Sequence, residues 1–187
     1  WLRIWPQKSP MRRYALSLAL VFALIAITAC GAWAQAKKMS VMDYYLTLPD
    51  DCFYCEIVPD DLSAAFKRKQ ITKSNIPAGY IEARSEGYSM QVALFTAPGI
   101  RLVAINRPCG EGCMCNMFRL LVPQPDGGWK DYEGFPSEGD INAKIGKKAR
   151  SHEFLLPEVG TDIKIIDPET GKTLLLIGWI GGKFGIK

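Results

Sequence analysis

Residues 89–107 read SMQVALFTAPGIRLVAINR, and this stretch decides the fold. Two runs rich in aliphatic and aromatic residues, Ser89–Thr96 and Ile100–Arg107, are separated by a short gap that contains Pro98 and Gly99. Runs of this composition, bounded by turn residues, are typical of β-strands. Parallel strands need a crossover of about a dozen residues or more, so this short gap predicts an antiparallel pair. The second run has apolar residues at both parities, which predicts a central strand buried on both faces under the N-terminal helices.

Five further runs of the same kind flank this pair of strands. They are short, and turn sequences such as Pro125–Gly128 and Asp167–Gly171 separate them by gaps of hairpin length. The runs are Tyr80–Ser85, Cys115–Val122, Trp129–Tyr132, Asp162–Asp167 and Lys172–Ile180. The pattern predicts a mainly β (α+β) fold, in which an antiparallel β-meander forms a barrel or a packed sheet.

Helical patterns are concentrated before the first strand. Ser40–Asp43 has the form of a capping box, and the apolar residues that follow share one helix face until Pro49 ends the helix. A second short amphipathic pattern follows Asp60 and Asp61, acidic residues that suit a helix N-terminus. We therefore predict two short N-terminal helices. The segment Gly134–Ser151, which holds several glycines and lysines, is expected to form a long surface loop with a helical turn.

Composition and charge distribution exclude two classes of protein. Of the 187 residues, 48% are hydrophobic and 22% are charged, which excludes wholesale disorder. The net charge of +4 arises in residues 1–34, which hold four of the 23 basic residues and no acidic one. In the rest of the chain 19 basic residues are therefore matched by 19 acidic residues. A nucleic-acid-binding protein needs a clustered basic excess, so we expect no nucleic acid as a partner.

Residues 11–34 have the form of a signal peptide. A pair of arginines precedes a run without formal charge, and the most apolar part of this run, Ala15–Ala29, has the length of a signal-peptide hydrophobic region. Met11 lies directly before the arginine pair and is a natural start. Residues 1–10 are therefore interpreted as an upstream artefact.

Three fates are open for this leader. Ala32 and Ala34 form a small-x-small sequence that suits signal peptidase, whose cleavage leaves residues 35–187 as a single exported β-rich domain. The sequence Ile27–Gly31 also resembles a bacterial lipobox, and that resemblance implies a signal that ends before a lipidated Cys30. The third possibility is an uncleaved membrane anchor, because roughly 20 apolar residues can span a bilayer. All three predict a domain outside the cytoplasm, periplasmic or secreted, or alternatively a membrane-anchored lipoprotein. The protein would then meet the membrane only through its signal or lipid anchor.

The remaining cysteines form two clusters that carry the only unusual chemistry. One cluster is a C-x-x-C sequence and the other lies between two predicted strands; their members are Cys52 and Cys55, then Cys109, Cys113 and Cys115. Because an exported domain folds where disulfides persist, we interpret all five as candidates for structural disulfides. A first alternative is a tetrahedral Zn²⁺ site, with ligands Cys52, Cys55, Cys113 and Cys115. A second alternative is disulfide exchange through Cys52 and Cys55, whose spacing resembles that of thioredoxin-like oxidoreductases.

The acidic residues around the C-x-x-C sequence argue against thiol catalysis. Asp50, Asp51 and Glu56 flank the pair, and negative neighbours raise the pKa of a thiol. The same three carboxylates offer a weaker hypothesis of their own, a hydrolase. The only histidine, His152, is interpreted as a surface residue.

The C-terminal segment is rich in glycine and aromatic residues. Trp179 and Phe184 are interpreted as part of sheet closure, and an aromatic binding ledge made by these two side chains is the functional alternative.

These observations predict an exported bacterial envelope or secreted protein. We expect a non-enzymatic binding or structural module stabilised by disulfides, with no catalytic residues and no cofactor. Its partner would be an envelope protein or ligand that binds through the sheet or the long loop. The alternative is a thiol-based protein that holds Zn through its cysteine clusters or exchanges disulfides through Cys52 and Cys55.

Overall fold

Two antiparallel sheets contain the ten strands of the described residues. The computed structural model describes residues 39–54, 60–85, 88–108, 117–146 and 151–187. The six-stranded sheet has the order β1-β2-β3-β4-β5-β6, and the four-stranded sheet has the order β10-β9-β8-β7. The strands are β1 Ile71–Asn75, β2 Tyr80–Ser85, β3 Tyr88–Ala97, β4 Ile100–Arg107, β5 Met117–Pro123, β6 Trp129–Asp131, β7 Glu153–Leu155, β8 Asp162–Ile166, β9 Thr173–Ile180 and β10 Lys183–Ile186.

Within each sheet every strand pairs with the strand that follows it along the chain, so each sheet is a meander. The predicted mainly β, antiparallel fold is confirmed. Within the described residues the strands form two open sheets and no closed barrel, which confirms the packed-sheet form of the prediction.

The helices lie where local capping chemistry places them. They are α1 Val41–Thr47, a 3₁₀ helix Asp50–Phe53, α2 Ala64–Lys69 and α3 Glu138–Ile145. Ser40 and Asp43 form the predicted capping box of α1, and Leu48 and Pro49 follow its end. Helix α2 begins after the predicted acidic pair, because the Ser63 hydroxyl accepts the first-turn N–H of Phe66 at 3.2 Å.

The six-stranded sheet lies between a helical layer and the second sheet. Along β4 the side chains alternate between two cores, which confirms the prediction of a central strand buried on both faces. Val103 and Ile105 face a core made with α1 and the 3₁₀ helix. Leu102 and Ala104 face a second core, which contains the inward residues of β8, β9 and β10. Burial of these two apolar layers is the main stabilising term of the fold.

The sequence analysis missed one helix and three strands. The segment Gly134–Ser151 contains the eight-residue helix α3, which begins with a capping box formed by Ser137 and Asp140. Strands β1, β7 and β10 were not predicted: β1 is polar, β7 has three residues and β10 has four. Such short strands carry little periodicity of their own and depend on the partner strand that they pair with.

Several predicted features lie outside the described residues. These are the whole leader, with Cys30, Ala32 and Ala34, and the residues Cys55, Glu56, Cys109, Cys113 and Cys115. In the described part of the chain no helix combines the length and the apolar composition that a membrane crossing requires.

Candidate functional site

Strand β7 is attached to the six-stranded sheet by two side-chain amides. Asn106 donates to the carbonyl of Phe154 at 2.5 Å, and Gln91 accepts the N–H of Leu156 at 3.1 Å. Gln91 and Asn106 are cross-strand neighbours, and their amides hydrogen-bond each other at 3.2 Å. Because β7 is an edge strand, these side chains supply the polar partners that another strand would otherwise provide. We call this arrangement the amide bridge.

Three cavities open around β7. The largest, of about 720 Å³, lies between the inner face of β2 and β3 and the loop from β7 to β8, and we call it the charged cleft. A second, of about 560 Å³, lies between β5, α3 and the start of β7, and we call it the aromatic pocket. A small cavity of about 140 Å³ lies beside the amide bridge. Residues of β7 line all three cavities.

Ion pairs surround the charged cleft. Lys187 contacts both carboxylate oxygens of Asp162, at 2.6 and 2.7 Å. At the other wall Lys73 pairs with Glu158 at 2.6 Å. Lys164 also lines the cleft and has no ion-pair partner among the described residues. The partners of Lys187 and Lys73 belong to the fold itself, so the cleft is polar and most of its acidic and basic residues neutralise each other.

A buried hydroxyl lies at the inner wall of the charged cleft. Tyr80 donates to Glu82 at 2.6 Å. Burial raises the pKa of the Tyr80 phenol, and the hydrogen bond to Glu82 raises it further. Tyr80 therefore stays protonated and serves as a hydrogen-bond donor rather than as a base.

The aromatic pocket is built from rings of three elements. Phe118 of β5 stacks on Phe154 of β7 with ring centroids 4.1 Å apart, and Phe135 lies 4.9 Å from Phe118. His152 stands edge-on to Phe154 at 5.7 Å. The buried side chain of Ile141, from α3, also lines the pocket. All four aromatic side chains remain partly exposed, so the pocket presents ring surface to solvent.

The predicted aromatic ledge at the C-terminal hairpin is not an exposed surface. Trp179 and Phe184 are both buried, and Trp179 donates to the carbonyl of Thr96 at 3.3 Å. Phe184 contacts Phe135 at 5.1 Å between centroids, which joins this buried cluster to the aromatic pocket. These two side chains are therefore packed inside the protein. The rings that the aromatic pocket presents to solvent are those of Phe118, Phe135 and Phe154.

Cys52 is the one cysteine whose surroundings the structure describes. Its thiol is free and fully buried in the core beneath α1. Burial raises its pKa to about 12, Asp51 adds to the rise, and Arg119 opposes it. A thiol of this kind is a poor nucleophile, so the sequence-based argument against catalysis holds for Cys52.

The cysteine pairings and the Zn site remain predictions, because the other proposed participants lie outside the described residues. Among the residues that the structure describes, no group of three or more histidine, cysteine, aspartate or glutamate side chains is arranged to hold a metal ion.

The two described carboxylates of the hydrolase hypothesis form ion pairs with the scaffold. Asp50 pairs with the buried Lys67 at 3.3 Å, and Asp51 pairs with Arg119 at 3.0 Å. Lys67 also donates to the carbonyl of Leu48 at 3.2 Å and lies over the ring of Phe53. Asp50 thus links the 3₁₀ helix to α2, and Asp51 links it to β5, which gives both carboxylates a structural role.

Sequence reasoning missed the residues that line the cavities. Phe118, Phe135 and Phe154 are far apart in the chain and meet only when α3 and β7 pack on the large sheet. Gln91 and Asn106 carry a weak signal, since each is a polar residue at an inward position of a strand that is otherwise apolar. A buried amide requires a partner, so these two positions could have been marked as participants in a polar contact.

Comparison with known proteins gives no match to a family model, to a curated protein or to a solved structure. The fold and the cavities therefore define the class: a mainly β protein of two packed antiparallel meanders, with an open polar cleft and an open aromatic pocket on either side of one edge strand.

Proposed function

We propose that this chain is an exported, non-enzymatic module that binds a ligand or envelope partner through the cavities beside β7. The observation that carries the proposal is the pair of open cavities, about 720 and 560 Å³, separated by an edge strand that the amide bridge holds in place. Both volumes fall within the roughly 300–1,000 Å³ that is typical of small-molecule sites.

The location of the aromatic pocket supports binding through the sheet and the long segment that follows it. One wall is the six-stranded sheet at Phe118, and the other belongs to the segment that carries Phe135 and α3. Rigid sheet elements and a capped helix hold the side chains in place, which lowers the entropic cost of binding.

The chemistry of Cys52 favours this proposal over disulfide exchange. An exchanging thiol must react as the thiolate, and the buried Cys52 thiol has a pKa raised to about 12. Its carboxylate neighbour Asp51 and its position in the core both oppose ionisation. We therefore assign Cys52 a structural role in the core.

Mass spectrometry of the protein expressed with its leader tests the proposal. The leader should be absent from the periplasmic protein, the denatured mass should show disulfides through its change on reduction, and the native mass should contain no zinc. A Cys30→Ser variant is the matched control: it removes an acyl addition if the chain is a lipoprotein and leaves ordinary processing unchanged. Recovery from the cytosol with the leader intact, or one zinc ion per chain with four protected thiols, would overturn the proposal.

A further inference from the structure

We infer that the aromatic pocket binds a small planar aromatic molecule that carries an N–H or O–H donor. The inference rests on the proposed function and assigns one of its two cavities a chemical class of ligand. It depends on three features of the pocket: its ring surface, its polar rim and its charge.

The ring surface is arranged to receive another ring. Phe118 and Phe154 already form a stacked pair at 4.1 Å, and Phe135 lies at 45° to Phe118. Rings prefer offset-stacked and edge-on neighbours, and each such contact is worth about 0.5–1.5 kcal/mol beyond the area that it buries. A planar ligand would continue this cluster and cover ring surface that is now exposed to water.

Polar side chains line the rim of the pocket. Asn142, Ser151 and His152 line the pocket, and their side chains form no hydrogen bond with any residue of the described chain. Pockets that bind small molecules combine an apolar lining with a few converging polar groups that orient the ligand. Here the amide and hydroxyl oxygens can accept a hydrogen bond from a ligand.

Glu138 places a carboxylate on the rim of the pocket. A carboxylate is a strong hydrogen-bond acceptor, so an N–H or O–H donor of the ligand can bond to it, whereas it repels an anionic group that comes close. An aromatic ring that carries a donor, such as indole or a phenol, therefore matches this acceptor.

The single histidine provides a direct readout. The chain has one histidine, so the untagged protein gives one imidazole Hε1 signal in its proton NMR spectrum. His152 lies at the rim, and the ring current of a bound aromatic molecule should displace this signal. We would titrate the purified protein with indole, with benzoate as the anionic counterpart and with N-acetyltryptophanamide as a substitute for an aromatic side chain of a partner protein.

The expected result is a saturable shift of the imidazole signal by indole, with weaker binding of benzoate, which has no N–H or O–H donor at neutral pH. Phe118→Leu should weaken indole binding roughly threefold to tenfold, which corresponds to the loss of one aromatic contact. Asn142→Ala should also weaken binding, and it should not lower stability because the residue lies on the exposed face of α3. Phe66→Leu, at a partly exposed phenylalanine outside the pocket, is the matched control and should change nothing.

Three outcomes would overturn the inference. One is the absence of a saturable shift with indole when circular dichroism shows that the protein is folded. Another is equal weakening by Phe66→Leu and Phe118→Leu, which would indicate nonspecific contact. Tighter binding of N-acetyltryptophanamide than of indole would assign the pocket to a protein side chain instead of a small molecule. Each of these leaves the export and metal measurements unaffected, so a failure here is distinguishable from a failure of the proposed function.

Discussion

Alkylation of Cys52 should be slow in the native protein, and the structure gives the magnitude. Its thiol pKa is raised from 9.0 to about 12. At neutral pH this change lowers the thiolate fraction by about a thousandfold. A more basic thiolate is intrinsically more reactive. With a Brønsted coefficient of about 0.4–0.5, a rise of three pKa units increases the rate constant of the thiolate roughly 20-fold. The net expectation is a rate about 50-fold below that of an unperturbed thiol, before steric protection is counted.

Steric protection makes that factor a lower limit. Cys52 is fully buried, so iodoacetamide reaches its sulfur only after local opening of the core beneath α1. We would treat the protein with reductant, remove it, add iodoacetamide at neutral pH and follow each cysteine by peptide mass spectrometry. The same chain in urea is the reference, because unfolding restores an ordinary thiol at the same position.

The result that would refute this reasoning is native alkylation of Cys52 as fast as in urea, or faster. That outcome would show an accessible and activated thiolate, and it would revive disulfide exchange as a function of the C-x-x-C sequence.

Three further predictions concern stability in urea. Asn106→Leu should lower the free energy of unfolding by about 1–3 kcal/mol, because it leaves a partly buried backbone carbonyl of β7 without its partner; a neutral result would show that the amide bridge does not hold β7. Stability should fall as the pH rises from about 9 toward 12, because the folded state keeps the protons of Cys52 and Tyr80, whose pKa values are both raised; Cys52→Ala should flatten this slope, and an unchanged slope would contradict the assignment. Lys67→Met should lower the free energy of unfolding more than Asp50→Asn does, because the lysine side chain is 5% exposed and the carboxylate 66% exposed. Equal decreases would show that the stability comes from the exposed ion pair and not from the buried carbonyl contacts of Lys67.

The amino-acid sequence predicts strand positions well where a strand carries its own signal. Tyr80–Ser85 and Ile100–Arg107 have the same bounds in the structure as in the prediction. The capping box at Ser40 is local chemistry, since the hydroxyl and the N–H that it accepts lie three residues apart. The hairpin topology is also local, because a short connection between two strands allows only antiparallel pairing.

The cavities did not follow from any local pattern. Phe118 and Phe154 are separated by more than thirty residues, and their stacking depends on how the four-stranded sheet lies on the six-stranded one. The glycines and lysines of Gly134–Ser151 predict a loop with a helical turn, whereas Ser137 and Asp140 form the same kind of capping box as in the first helix, and the helix α3 follows them.

By itself the sequence determined the first two helices, the strands with their own periodicity and the antiparallel pairing across short turns. Turn length, strand periodicity and helix capping all act between residues that are near in the chain. Only the tertiary structure decided that there are two sheets, that Cys52 is sealed in a core, and that an amide bridge holds β7 between a charged cleft and an aromatic pocket. The physical reason is that burial and cavity shape arise from the packing of whole layers, and that packing is a property of surfaces assembled from distant residues.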